Sequence, residues 1–406
     1  MADTTHEDVA FIMKRRYSDK ESTEVATREH PSFYEIAKEQ AFDGEDFRYP
    51  VQTGNPQSIG SGAAGFAIAQ SAAGPNAGIK GEQFAAEPML KYGVLKLDGP
   101  SMQRARGNKG SFFNFVTRHA DGLLEELGAN LAYDLQRDGN GIRGRRLSIS
   151  GNVVTLYEKR DVDHFRRGMV VGASSSSDGS SPRTGTTYVT KLDRANKKIT
   201  LNDASAIASF SDGDYLFRSG DPGQCMDGFE KCTPLAAPGT SDSFRGVNRS
   251  VDIEALAGSR IDNSALYPEE VLGDLAVEVH ILNKRLRRGV MYPTKFQDVV
   301  KRLGAKVEYH NPGGSADIGF ESFIIHAAGA PMRVYSDPDC PVDRTRGFDP
   351  KAHVYKHIDE VVHWIRTSEG GQSQWSTSTD GIEMRARSHG NYIQYDTAPH
   401  AVGSVQ

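Results

Sequence analysis

The chain is poor in cysteine, with only Cys225, Cys232 and Cys340 among its 406 residues. An odd, low count excludes a disulfide framework and suits a reducing cytoplasm. Long apolar runs are also missing. No segment approaches the ~20 apolar residues that a membrane-crossing helix needs. The opening stretch MADTTHEDVAFIMKRRYSDK is polar and acidic, unlike a secretory signal. Nor is there an excess of positive charge, the formal net charge being −5. Gripping nucleic acid over a broad face needs clustered lysine and arginine, so the balance argues against that class of protein. What is present is a chain 37% hydrophobic and 25% charged, long enough for two or three domains with cores of their own.

Short motifs are the next place to look for chemistry. The stretch GSGAAG places Gly60, Gly62 and Gly65 at the spacing of a dinucleotide-binding loop. Such a loop needs a buried strand before it, a helix after it, and an acidic residue about 20 positions on. Pro50 and Pro56 interrupt the lead-in, while Gly74, Pro75 and Gly78 break a following helix. Glu82 stands near the required distance without a buried strand leading to it. The stretch therefore reads as a long, flexible, weakly amphipathic loop. HVYKHIDEVVH offers His353 and His357 at the i, i+4 spacing of metal ligands on a helix, with His363 beyond. Val354 stands where a zincin has glutamate, so ordinary partly buried histidines are the simpler reading. Cys225 and Cys232 are spaced too widely for a zinc knuckle, and buried thiols are expected. Asp337 and Asp339 in DPDC could hold a hard cation, but the flanking prolines point to a rigid turn. No catalytic constellation and no cofactor site emerges.

The organisation says more. Residues 1–47 are strongly charged, with short apolar clusters at VAFIM and FYEIA. They read as an arm that lies on something else, because alone they bury too little to offset ordering entropy. Residues 48–95 form a long excursion closed by a returning strand at LKYGVLKLDG, and loops of that length are usually functional. Phe112, Val116, Ala120, Leu123, Leu127, Leu131 and Leu135 share one face of a helix over 111–137, capped by Asn108 or Ser111 and ended by Gly139. At 1.5 Å per residue it runs about 40 Å. Gly122 and Gly128 inside it mark close packing or a bend. Residues 147–219 carry short strand-like runs separated by turns, the pattern of a small antiparallel barrel, with SSSSDGSSPRTG as a flexible tip. From about 220 the chain is mixed α/β. A second helix over YPEEVLGDLAVEVHILNKRLRRG opens at Pro268 and closes at Gly289, and a third, PTKFQDVVKRLG, stops at Gly304. KVEYH, SFIIHAA and MRVYSD read as strands, and GIEMRARSHGNYIQYDTAP as one or two closing strands.

This order of parts resembles the major capsid proteins of tailed double-stranded DNA bacteriophages, which have the Hong Kong 97 fold. The stretches that carry the resemblance are YPVQTGNPQSIGSGAAGFAIAQ, the helix GSFFNFVTRHADGLLEELGANLAYDLQRDGNGIRG, ISGNVVTLYEKRDVDHFRRGMVV, GVNRSVDIEALAG, MYPTKFQDVVKRLG and VYSDPDCPVDRTRGFDP. The resemblance implies an α+β fold. Its parts would be an N-terminal arm (1–47), an E-loop (48–95), a peripheral domain with its spine helix (96–146) and an inserted β-barrel (147–219). An axial domain with a return loop (220–375) and closing strands with a tail (376–406) would follow. It implies a structural, non-enzymatic role. Copies would assemble as pentamers and hexamers into an icosahedral shell in the host cytoplasm and enclose DNA without sequence-specific binding or a membrane. A separate scaffolding protein, a portal, and decoration or cement proteins are the implied partners. The implied inter-subunit contacts are Phe33, Tyr34, Gly54, Asn55, Pro56, Gly62, Phe66 and Ile68. Lys80 and Lys91 lie in the loop, but no asparagine stands out as a partner for a covalent cross-link. An encapsulin-type compartment is the alternative of the same fold. A metal- or dinucleotide-dependent enzyme is the alternative of another class.

Overall fold

A computed structural model describes residues 19–27, 29–40, 46–76, 78–100, 103, 109–303, 322–366, 373–375 and 380–406. The apolar cluster at 9–13, the cap Asn108, the stop at Gly304, the strand expected at 306–310 and the side chains of Ser111 and Phe112 lie outside what is described. The chain divides into two compact units, Met1–Tyr133 with Cys232–Gln406, and Asp134–Lys231. Among the described residues no helix is long and apolar enough to cross a membrane.

The first unit begins with α1 (Asp19–Thr27), α2 (Pro31–Glu35), β1 (Ala37–Gln40), β2 (Phe47–Gly54), α3 (Gly65–Asn76), β3 (Lys80–Ala86), β4 (Met89–Asp98) and α4 (Lys109–Gln136). The second unit contributes β5 (Ile142–Ser150), β6 (Val153–Leu156), β7 (Val170–Ser174), β8 (Thr187–Asp193), β9 (Lys198–Leu201) and β10 (Tyr215–Arg218). The first unit resumes with β11 (Ser259–Ile261), α5 (Pro268–Ile281), β12 (Arg288–Met291), α6 (Pro293–Leu303), β13 (Ser322–Ala327), β14 (Ala330–Ser336) and β15 (Arg344–Phe348). It closes with β16 (His353–His357), β17 (His363–Trp364), β18 (Ser373–Trp375), β19 (Gly381–Gln394) and β20 (His400–Ser404).

One sheet of the first unit is organised by β19, which runs for 14 residues. Its first ten residues pair antiparallel with β4, from Gly381 opposite Asp98 to Gly390 opposite Met89. Its last five pair with β16, and β1 adds in parallel on the far side of β16. The alternation seen in β4 is real: Leu95 and Leu97 are buried while Val94 and Lys96 face out. The long helix α4 covers the buried face, with Val116, Ala120, Leu127 and Leu131 turned inward. Gly128 is explained by close packing: a Cβ there would stand 1.6 Å from the carbonyl oxygen of Ala26 in α1. No side chain larger than hydrogen fits between the two backbones. Gly122 has open space around it.

The arm from Ser22 onward lies on its own chain. Ala26, Phe33 and Ile36 are fully buried. Three ion pairs tie it down, His30–Asp339 at 2.8 Å, Arg288–Glu35 at 2.8 Å and Lys356–Glu39 at 2.5 Å. Burial opposes the charged form of His30, but its hydrogen bond to Asp339 and the nearby Asp337 and Glu29 outweigh this and raise its pKa.

The other sheet has the order β11-β20-β15-β12-β14-β13. Helices α5 and α6 pack on it through Val271, Leu272, Leu275 and Val279 with Phe296 and Val299. Here the sequence misleads. Helix α5 stops at Ile281, not at Gly289, and Asn283 takes a left-handed φ of 58°. The run Leu282–Leu286 kept helical spacing, yet Arg288–Met291 is a central strand paired on both edges, with Val290 and Met291 fully buried. Tertiary pairing overrides the local pattern. HVYKH is likewise a strand. Four residues along a strand separate His353 from His357 by about 13 Å, too far to share a metal ion.

The second unit is a closed six-stranded barrel in the order β10-β5-β6-β9-β8-β7. Its first strand starts at Ile142, ahead of the position 147 read from the sequence, and β10 closes the ring by pairing with both β5 and β7. Val154, Leu156, Val171, Val189, Ile199, Leu201 and Leu216 fill the interior with Phe165. The serine-rich tip expected to be flexible is pinned: Arg183 donates to both oxygens of Asp214, each at 2.9 Å.

Candidate functional site

Six of the eight expected contact residues lie on one feature, the hairpin of β2 and β3 with α3 at its tip. The ladder is antiparallel, from Phe47 opposite Ala86 to Gly54 opposite Lys80. Pro50 sits within β2, where a two-stranded ladder leaves each strand an outer edge that tolerates a missing N–H. The root is built into the chain's own core. Tyr49 and Phe84 stack at 5.5 Å, Tyr395 meets Tyr49 edge-on at 6.0 Å, and Arg245 donates to the Tyr49 hydroxyl at 2.8 Å. The second guanidinium nitrogen of Arg245 donates to the carbonyl of Tyr392 at 2.8 Å, tying the hairpin root to β19.

Burial disappears toward the tip. Ile59 is 74% exposed, Phe66 82%, Ile68 51% and Ile79 67%. Residues 49–79 contain no charged side chain, in a chain that is one quarter charged. A protruding segment that is apolar, uncharged and solvent-exposed is a surface awaiting a partner.

The glycine motif turns out to have a strand before it and a helix after it, contrary to the sequence reading, while the strand that carries Glu82 starts only at Lys80 and is exposed there, as that reading expected. Gly74 and Pro75 fall in the last turn of α3, where they no longer break it. The arrangement is still not a dinucleotide fold, because the two strands are antiparallel neighbours and that fold requires parallel strands joined by a crossover. The glycines serve the turn into α3 instead. Gly62 has φ of 80°, its carbonyl accepts from Gly65 N at 2.9 Å, and a Cβ on Gly60 would lie 2.0 Å from the Gly65 oxygen.

Gly54, Asn55, Pro56, Gly62, Phe66 and Ile68 are thus brought together, all but Gly54 well exposed. The two arm residues are elsewhere, on α2. Tyr34 is exposed, with its carbonyl accepting from Lys38 at 2.9 Å. Phe33 is a correction: its ring is fully buried and meets Tyr355 edge-on at 5.2 Å, so it offers nothing to a neighbour. Burial of the Lys38 ammonium beside these rings lowers its pKa to about 8.

The residues weighed for chemistry have structural settings. Among the described residues no three His, Cys, Asp or Glu are placed to hold a metal ion. His363 accepts from Arg387 at 2.9 Å, and Asp337 accepts from the Asp339 amide at 2.9 Å in a turn. The three cysteines are buried and not disulfide-bonded. Sequence reasoning missed an open groove of about 980 Å³ beside the hairpin, walled by β2 on one side and by Leu282, Lys284, Tyr395 and Asp396 on the other. Its far wall comes from two turns distant in sequence, which no local pattern joins.

Comparison with known proteins gives no matching family model and no matching curated protein. Solved structures do match. The chain is similar to the capsid subunit of cyanophage A-1(L) over 92% of both chains, with a TM-score of 0.51 at 9% identity. A structure titled Microbacterium phage Oxtober96 matches over 94% of this chain and 92% of that one, at 9% identity and a TM-score of 0.46. A subunit from the capsid of an empty GTA particle matches over 92% and 94%, at 10% identity and a TM-score of 0.45. The likeness to the cyanophage subunit establishes the fold. It is the α+β, Hong Kong 97-like capsid fold with an inserted small barrel that the order of parts in the sequence implied.

Proposed function

We propose that this chain is a major capsid protein, the structural subunit of a tailed-phage shell, and that it performs no turnover chemistry. Copies associate as pentamers and hexamers, assemble in the host cytoplasm and enclose double-stranded DNA in the virion. The observation that carries this reading is the hairpin. It is rooted in its own core by Tyr49, Val51 and Phe84, yet ends in an uncharged tip with Ile59, Phe66, Ile68 and Ile79 exposed. Burying each such side chain against a neighbour contributes about 1.5–3 kcal/mol. In a closed shell many such contacts support one another. The net charge of −5 agrees with the role, since a basic lining would hold DNA and hinder its packing.

In this reading α4 with the β19 sheet is the peripheral domain, the β20 sheet with α5 and α6 is the axial domain, and residues 22–40 are the arm. Tyr34, Gly54, Asn55, Pro56, Gly62, Phe66 and Ile68 contact neighbouring copies. A separate scaffolding protein, a portal and decoration or cement proteins complete the particle. Co-expression with the scaffold, followed by electron microscopy, tests the proposal. Wild type is expected in megadalton particles. Phe66→Asp with Ile68→Asp is expected to fold but remain as small oligomers, because both side chains are exposed in the subunit. Normal particles from that variant, or a wild-type chain that stays monomeric with its scaffold, defeat the reading.

A further inference from the structure

The charge of the chain is unevenly shared. Residues 134–231, the unit that holds the barrel, carry fifteen Lys and Arg against thirteen Asp and Glu, so the rest of the chain supplies the whole negative balance. Within this unit the bases concentrate further. Residues 157–167 and 191–198 hold eight Lys and Arg against four acids, and the fold brings the two stretches together. Lys197, in the turn between β8 and β9, donates its ammonium to the Tyr157 carbonyl at 3.0 Å. Arg194 of the same turn meets Asp163 at 2.7 Å. Lys197 keeps a left-handed φ of 60°, where glycine or asparagine is the easier residue.

Beside these cations stands a flat aromatic surface. The Arg145 guanidinium of β5 lies between two rings, 4.9 Å from the centre of Tyr157 and 5.3 Å from that of Tyr215. Its Nε donates to the Gly213 carbonyl at 3.0 Å, which fixes the stack. Tyr157 is 40% exposed, and Arg145, Arg194 and Lys198 are exposed with it. Cations alone would suit any acidic partner. A planar ring set among cations suits a ligand that alternates anionic groups with planar rings, which is the make-up of a nucleic acid strand. A duplex keeps its base faces inside the stack, so only a single strand can offer one to Tyr157. We propose that this end of the barrel binds single-stranded nucleic acid without regard to sequence, a base stacking on Tyr157 and phosphates meeting Arg145, Arg194, Lys197 and Lys198. The patch is local and lies within the barrel unit, so this binding is separate from the shell contacts of the hairpin.

Fluorescence anisotropy tests it, with the unassembled full chain and a labelled twelve-nucleotide oligothymidylate over a range of salt concentrations. Binding is expected, and to weaken as salt rises. Tyr157→Ala is expected to lose at least about fivefold in affinity with the salt slope kept, while Tyr157→Phe, which retains the ring, binds as wild type does. Lys197→Asn suits the left-handed turn. Combined with Lys198→Gln it removes two phosphate contacts and is expected to reduce the salt slope by about 1.4. All variants are expected to keep the wild-type melting temperature. A strand of the same length without bases reads the stack on the wild-type chain, should Tyr157→Ala not fold, and is expected to bind at least about fivefold more weakly. Equal affinity for the baseless strand, equal or tighter binding of a twelve-base-pair duplex, or no binding at low salt overturns the proposal. An oligoglutamate of the same length that binds as tightly as the oligothymidylate also overturns it, and makes an acidic protein the occupant.

Discussion

Lowering the pH from 7.5 to 4.5 is expected to destabilise the first unit through two histidines. His353 on β16 and His400 on β20 are fully buried, with ring centroids 5.1 Å apart, where the two sheets meet. Tyr392 of β19 brings its hydroxyl to 3.0 Å from His353 Nδ1, and Gln394 donates to that hydroxyl at 3.0 Å. Phe348 of β15 lies against both rings. Burial holds the His353 pKa down at about 3, and burial together with the neighbouring His353 holds His400 well below the usual histidine value. Both rings are therefore neutral in the folded chain. Between about pH 6.5 and the folded values the unfolded chain binds more protons, so stability falls as pH falls. Above pH 6.5 neither group matters. A depressed histidine costs about 1.4 kcal/mol per pH unit within its window, so His353 alone removes on the order of 3 kcal/mol by pH 4.5, and His400 adds to this in the same direction. That is a large part of the stability of about 5–15 kcal/mol that is typical of domains. Both tryptophans, Trp364 and Trp375, lie in the first unit, so their fluorescence in urea titrations reports on it alone. The double variant His353→Gln with His400→Phe is expected to lose most of the acid slope. An identical slope in wild type and variant between pH 6.5 and 4.5 refutes the reasoning.

Other outcomes are open to direct measurement. Gly128→Val should dislodge α1 from α4, since a Cβ there meets the Ala26 carbonyl at 1.6 Å. Hydrogen exchange at residues 22–27 should accelerate while the barrel is unchanged, and unaltered exchange rules this out. A fragment spanning residues 134–231 should melt cooperatively on its own, because its thirteen-residue buried cluster is drawn entirely from that segment. In it, Leu201→Ala should cost about 2–5 kcal/mol, and a shift below 1 kcal/mol would contradict the packing described.

Much of this architecture was readable from side-chain period alone. Helix α4 announced itself because Val116 through Leu131 repeat every three or four residues against a single surface. The barrel strands did so because each is short, alternating and bounded by turns. What escaped was fixed by partners far away in the chain. Arg288–Met291 continues a helical pattern, and only the presence of β14 and β15 on either side makes it a strand. Pro50 and Gly74 obey local rules that argue against a strand and a helix. The antiparallel ladder and the last-turn position of Gly74 remove both objections. Phe33 was assigned outward because an arm was expected to meet a neighbour, whereas its own Tyr355 captures it. The long excursion at 48–95 was recognised from its length and returning strand, but the groove was not, because its walls come from the hairpin, the turn after α5 and the turn after β19.

The long strand β19 sets the order in which the chain becomes competent. It closes ladders that join Leu97 to Ile382 and, through β16, positions β1, so pieces made early wait for pieces made late. Contacts this distant in sequence must overcome loop-closure entropy before they return any stability, and such topologies fold slowly. The barrel, a single continuous segment, is free of that delay. Arg245 connects the schedule to the hairpin, for it holds Tyr49 with one nitrogen and the Tyr392 carbonyl with another. Until β19 is in place the hairpin root lacks the tie from Arg245 to the Tyr392 carbonyl and the edge-on contact of Tyr395 with Tyr49. The last ties of the hairpin root are thereby deferred until the polypeptide is nearly complete, a timing imposed by topology alone.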